Sequence, residues 1–111
     1  MAKLIQTQTG ETLLHDVELA DSFWKRFKGL QFRRSMPRDA GIWLTPCSSL
    51  HTCFMRFSID VIHLDSDSRV LSVARNVRPW RLHFCPRGTC SVIETMPAAV
   101  ALVTNDQVHL A

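Results

Sequence analysis

Apolar and polar residues alternate from Leu13 to Ala20. Leu13, His15, Val17 and Leu19 share one face, and Asp16 and Glu18 lie on the other, the period of a half-buried strand. Gly10-Glu11 supplies a turn before it, with Lys3 to Thr7 as the partner strand. His15 then falls on the apolar face and reads as a core histidine satisfied by its neighbours. A stronger signal runs from Ile59 to Asp65. One face carries Ile59, Val61, His63 and Asp65, the other Asp60, Ile62 and Leu64. Neither face is purely polar, so this strand is expected to be covered on both sides. Asp65-Ser66-Asp67-Ser68 forms a polar turn. Val70 to Val77 resumes the pattern, which makes a hairpin with a loop of about three to five residues.

Shorter runs complete the sheet. Gly41 to Leu44 is a strand ended by Pro46, Cys90 to Met96 a further one, and Gln107 to Leu110 the last. Leu50 to Phe57 reads as extended, with His51, Cys53 and Met55 pointing one way and Thr52, Phe54 and Arg56 the other. Two helices are expected. Asp21 is placed to cap the first, Ser22 to Lys28, whose Phe23, Trp24 and Phe27 must pack on the sheet because two turns are not stable alone. Gly29 supplies its left-handed exit, and Lys25, Arg26 and Lys28 suit its C-terminal dipole. Pro97 opens the second, Ala98 to Val103. Short strands without long helical crossovers exclude a doubly wound fold. The pattern predicts a mainly β domain, a small antiparallel barrel or sandwich with one or two short helices, spanning residues 1–111.

Composition narrows the class. At 46% hydrophobic, a chain of this length buries enough surface to fold without a metal or disulfide. No apolar run reaches the ~18 residues that cross a bilayer, and the N-terminus lacks the apolar core of a signal peptide. The expectation is a cytoplasmic monomer without membrane contact, its four cysteines kept as thiols. The net charge of +3 is unevenly spread. Lys25, Arg26, Lys28, Arg33, Arg34 and Arg38 form one acid-free run, and Arg69, Arg75, Arg78, Arg81 and Arg87 a second. Such segregation attracts anions.

Several chemistries can be weighed from residue types. Cys47, His51 and Cys53, with His83, Cys85 and Cys90, could supply zinc ligands, but neither group has C-x₂-C spacing. Buried free cysteine is common as a small hydrophobe, so neither metal nor cofactor is expected. Cys53 beside His51, or Cys85 beside His83, could form a thiolate pair, yet no local nucleophile signature accompanies them. Dinucleotide, phosphate-loop, zinc-protease and serine-elbow motifs are absent. Asp60 and Glu94 sit inside apolar strands and need cations or hydrogen-bond donors; Arg26, Arg33 and Arg56 are the expected partners.

The segment H-T-C-F-M-R-F-S-I-D-V-I-H-L-D, residues 51–65, followed by R-V-L-S-V and R-P-W-R, resembles the prokaryotic family called domain of unknown function 192. That family shows a segment like H-T-F-x-M-R-F-P-I-D-V-x-F-L-D. Arg26 to Leu30 with Arg33 is similar to its R-x-x-G-L-x-x-R, and Ser91 to Glu94 with Pro97-Ala98 to its S-V-L-E-x-P-A. Ser58 stands where the family has proline, and Asn105-Asp106 where it has Gly-Asp. Cys53, Cys85 and Cys90 are outside its pattern. The resemblance implies a compact β-rich domain and no particular reaction.

The leading expectation is a non-catalytic binding module for a small anionic ligand or peptide. Its site comprises Arg26, Arg33, His51, Met55, Arg56, Asp60 and Glu94, the guanidinium forks serving carboxylate or phosphate. Arg33, His51, Arg56 and Glu94 are expected at one rim, near the end of the first helix. The alternative is an enzyme using His51 with Asp60 or Glu94 for proton transfer. Nucleic-acid binding through the basic runs and Trp80 is the weakest reading.

Overall fold

A computed structural model describes residues 2–31 and 33–111, with Phe23 and Trp24 described in backbone only. The chain is mainly β with one short helix. In order it runs β1 (Ala2–Gln6), β2 (Thr12–Ala20), α1 (Phe23–Lys28), β3 (Ala40–Leu44), β4 (Ser49–His51), β5 (Ile59–Leu64), β6 (Val70–Val77), β7 (Leu82–Phe84), β8 (Ser91–Thr95) and β9 (Val108–Leu110). Seven strands form one sheet in the order β6-β5-β8-β3-β2-β1-β9, and β4 and β7 form a separate ribbon. The β2–β3 pair is parallel and the other pairs are antiparallel. The edges β6 and β9 approach through a single bridge, Arg69 to Gln107, so the sheet curls without closing into a barrel and the architecture is sandwich-like.

Side-chain alternation in the central strands feeds two cores. Trp43, Ile62, Leu64 and Ile93 enter one, with Leu4, Leu14 and Val108. Ile42, Leu44, Ile59, Val61 and Val92 enter the other, with Leu30 and Met55. Successive residues of β3, β5 and β8 thus serve opposite faces. This is why all six residues of β5 are buried, as its mixed faces predicted. The β5–β6 hairpin closes through Asp65, whose Oδ1 accepts from the Asp67 and Arg69 amides at 2.8 and 3.0 Å.

Several local expectations are corrected. In β2 the buried residues are Leu14, Val17 and Ala20, not Leu13, His15 and Leu19. Register shifts against β1 rotate the strand as bulges do. His15 is therefore exposed, bonded to Asp39 at 2.9 Å. Ser22 rather than Asp21 caps α1, accepting from the Lys25 amide, and Phe27 is 55% exposed instead of packed on the sheet; the expected packing of Phe23 and Trp24 lies outside the described side chains. The stretch after His51 is a turn: Phe54 has φ +63°, and Thr52 bonds across to Arg78, Trp80 and Arg81. The second helix does not form. Ala98 has φ +60°, its amide is given to Asp60, and a left-handed residue stops a right-handed helix at once.

Candidate functional site

A cavity of about 350 Å³ opens on the face that carries Val92 and Glu94. Its walls are the end of α1 with Gly29 to Gln31, the Pro46 to His51 segment, and Leu44 and Met55. Glu94 lies at its floor. β8 puts it directly across from Val61 on β5 and Ile42 on β3, so the carboxyl rises from the middle of the sheet. Gly29 leaves the helix with φ +45°, and a Cβ there would come 3.9 Å from Glu94 Oε1. The helix exit therefore passes beside the carboxyl.

Glu94 is 3% exposed, and no described side chain donates a hydrogen bond to its carboxyl. Burial pushes its pKa up to about 7, against a weaker opposing pull from the Arg33 charge. A carboxyl in this state exchanges its proton near neutrality. Arg26, half-buried on the wall, donates Nη1 to the carbonyls of Asp21 at 3.1 Å and Thr45 at 3.2 Å. This ties α1 to the end of β3 and leaves the positive charge at the cavity. His51 Nδ1 accepts from the Cys53 amide at 3.2 Å. Its Nε2 lies 3.4 Å from the Gln31 side-chain amide nitrogen.

The cavity thus brings together Arg26, His51, Met55 and Glu94, and not the other three expected site residues. Arg33 is bonded to Glu18 at 2.8 Å and faces a separate shallow hollow, though its charge still acts on Glu94. Arg56 is exposed on the turn and does not line the cavity. Asp60 points to the opposite face of the sheet. Its oxygens accept from Arg75 Nη1 at 2.9 Å and from the Asn76 and Ala98 amides at 2.8 and 2.9 Å. Its partner is Arg75, not Arg26, Arg33 or Arg56. Burial alone would raise its pKa, but the donors outweigh burial and lower it. Lys28 and Gln31 also line the cavity; their position around Gly29 was the signal that could have found them. Cys85 beside His83 offers no nucleophile, since burial pushes that thiol up to about 11 and raises Cys47 as well, far from the thiolate range.

Residues 4–108 match the family of uncharacterized conserved proteins DUF192, "Uncharacterized ACR". The chain belongs to DUF192. Among its relatives, a UPF0127 protein of Thermococcus sibiricus is 36% identical over 95% of this chain and 70% of that protein. UPF0127 protein PH1112 of Pyrococcus horikoshii is 44% identical over 61% of each. Two solved structures share the fold at TM-score 0.81. One, a Sinorhizobium meliloti protein provisionally named a transcription regulator, is 22% identical over 98% of this chain and 91% of that one. The other, a Novosphingobium aromaticivorans protein of unknown function, is 21% identical over 97% and 82%. At that identity the likeness concerns the fold alone. No described helix of this DUF192 chain is long and apolar enough to cross a membrane.

Proposed function

We propose that this DUF192 chain is a non-catalytic binding module whose cavity takes a small ligand with one anionic group and a short apolar body. The observation that carries the reading is a buried, protonatable carboxyl, Glu94, at the floor of a cavity walled by Arg26, Lys28 and His51. Protonated, Glu94 donates to an incoming carboxylate or phosphate oxygen while the cations balance its charge. Leu30, Leu44 and Met55 receive the apolar part. The volume is at the small end of ligand pockets, ~300–1,000 Å³, which suits a metabolite-sized acid. In this reading the protein works as a cytoplasmic monomer.

Chemical-shift titration tests it, with acetate, hexanoate and inorganic phosphate as probes. Hexanoate should move the signals of His51 and of the β8 backbone at lower concentration than acetate. Affinity should fall as pH rises from about 6 to about 8, because ionised Glu94 repels the anion. Glu94→Gln keeps a donor without the charge and should flatten that dependence. Shifts confined to residues outside the cavity, or unchanged in Arg26→Ala, would refute the site.

One observation favours a second reading. A carboxyl whose pKa is near 7 is tuned for general acid–base work, so Glu94 with His51 could transfer a proton. Asp60 leaves that pair because its oxygens are engaged on the opposite face. Conversion of a bound probe, lost in both Glu94→Gln and His51→Ala, would decide for catalysis.

A further inference from the structure

A second cluster lies on the same face of the sheet, beside the cavity and independent of the binding reading. His63 projects from β5 towards the β4–β7 ribbon, where strand alternation turns His83 and Cys85 inward while Leu82 and Phe84 stay 73% and 77% exposed. Ligand atoms of His63, His83 and Cys85 all lie within 4.8 Å of one another. From this geometry we infer a zinc site, with His63 Nε2, His83 Nε2 and Cys85 Sγ as three ligands of a tetrahedral ion whose fourth position is taken by water.

The tautomer of His63 is fixed by its surroundings. Nδ1 faces the Ser72 carbonyl at 3.2 Å and the Ser72 hydroxyl at 2.8 Å. A carbonyl only accepts, so Nδ1 carries the proton and Nε2 keeps its lone pair. A backbone carbonyl on the remote nitrogen is the support that metal-bound histidines commonly have. That lone pair points at His83. The two Nε2 atoms are 2.8 Å apart, the ring centroids 5.1 Å, and the planes 9° apart. The difference between the two separations is taken up by the ring radii, so the imidazoles meet nitrogen to nitrogen and share one proton between them.

Zinc replaces that shared proton. Two nitrogens at 2.0–2.1 Å from a tetrahedral ion lie about 3.3 Å apart, so the rings must part by about half an ångström and tilt. His83 belongs to the small ribbon and can supply the movement. The Cys85 thiol follows the same ribbon strand. The Cys85 amide bonds the Ser48 carbonyl at 3.2 Å, which holds β7 to the segment before β4. Two histidines and one thiolate leave the fourth tetrahedral position to water, the arrangement of an open zinc site. On binding, Zn²⁺ takes the two nitrogen lone pairs, the Cys85 thiolate and one water; the thiol proton leaves to the buffer, and the ring proton moves to His83 Nδ1. The ion would tie the ribbon to the main sheet and so fix one wall of the cavity.

The sequence spacing argued against a site built from Cys47, His51, Cys53, His83, Cys85 and Cys90. The folded cluster is different: Cys47, His51, Cys53 and Cys90 are outside it, and the buried His63 is its centre.

The test is titration of the reduced, chelator-treated protein with Co²⁺ and then Zn²⁺. Expected are one ion per chain, the visible d–d bands of tetrahedral Co²⁺, a near-ultraviolet thiolate charge-transfer band, displacement by Zn²⁺, and a raised Tm. Cys85→Ser and His83→Ala should each weaken binding by at least ~100-fold, beyond the 10–100-fold loss typical of an outer-shell partner. Ser72→Ala should fall in that milder range, and Cys53→Ser with Cys90→Ser should leave metal binding unchanged. The inference is overturned if the wild type binds no Co²⁺ at micromolar concentration. It is equally overturned if binding survives in Cys85→Ser and His83→Ala, both checked for wild-type circular dichroism. If His63→Phe fails to fold, those two ribbon variants still decide. Retained zinc binding with no anion response in the cavity would reject the proposed function and leave this site standing.

Discussion

Asp60 and Glu94 are the two buried carboxyls of the central sheet, on paired strands and almost side by side. Asp60 stands opposite Thr95, and Glu94 opposite Val61, so they point to opposite faces. Their exposures are 2% and 3%, yet their pKa values move in opposite directions. Burial therefore does not decide the matter. Asp60 is ringed by one guanidinium and two backbone amides, which favour its anion. Glu94 faces a cavity, and among the described residues no side chain donates to it. The first is a fastener that holds two turns; the second is a carboxyl that opens to the cavity with no donor among the described side chains.

The harshest way to break this contrast is Asp60→Ala. It leaves the Asn76 and Ala98 amides, both on exposed residues, without their acceptor, and each hydrogen bond to a charged group is worth ~1.5–3 kcal/mol. Arg75 is 51% exposed and turns to water, so it adds little. A loss of about 4 kcal/mol is expected, with Asp60→Asn losing about half, read as a lowered urea midpoint. An unchanged midpoint would show that the amides find other partners. The cost lies in the backbone amides, not in the exposed Arg75.

Glu94→Gln should act in the other direction. In the unfolded chain its carboxyl ionises near 4.5, in the folded chain near 7. Below 4.5 both states hold the proton and the substitution is neutral. Between these values the folded state alone holds it, so stability falls as pH rises, and above about 7 the penalty is full. One pKa unit is worth ~1.4 kcal/mol, so Glu94→Gln should stabilise by about 3 kcal/mol near pH 8 and by nothing near pH 4. A constant difference across that range would mean that the carboxyl is not held protonated.

The pH profile of the wild type sharpens the same point with a smaller signal. Asp60 has a lowered pKa, so its contribution is complete above the unfolded value of 3.8 and is lost as pH falls through the folded one. Glu94 erodes stability from 4.5 upwards. Urea midpoints should therefore climb on leaving acid and then decline towards neutrality. Asp60→Asn should remove part of the climb, and Glu94→Gln part of the decline. Interchanged effects would reverse the assignment of the two groups.

How much of this was legible depended on range. The β5–β6 hairpin was readable because its pattern and its Asx turn are local. Glu94 and His51 stood out as polar residues in apolar stretches, and Arg26 as a cation at a helix end. The Asp60 partner was not readable. β5 and β6 shift register between Ile59 and Val61, which brings the Arg75–Asn76 corner to Asp60, and no sequence period records such a shift. His63 escaped notice as a possible ligand for a similar reason. Its partner His83 arrives only through the β4–β7 pairing, between segments far apart in the chain. The second helix failed because a tertiary acceptor, Asp60, captures Ala98 in a conformation that alanine does not choose for itself.

That capture yields the smallest and most discriminating prediction. Both amides that Asp60 accepts belong to left-handed residues, Asn76 at φ +53° and Ala98 at φ +60°. Asparagine tolerates that region, whereas alanine pays roughly 1–2 kcal/mol for it. Glycine would remove the strain but lose about 0.4–1 kcal/mol through the freer unfolded chain. Ala98→Gly should therefore stabilise by about 0.5 kcal/mol. If Asp60 is what holds the turn, the benefit exists only while the carboxylate is there. In an Asp60→Ala background residue 98 can relax to an ordinary conformation, and Ala98→Gly should bring no benefit or a small loss. A double-mutant cycle on the urea midpoints measures the coupling. An equal gain in both backgrounds would mean that the turn is set by its own sequence, and Asp60 would then be a passenger on a loop that needs no fastening.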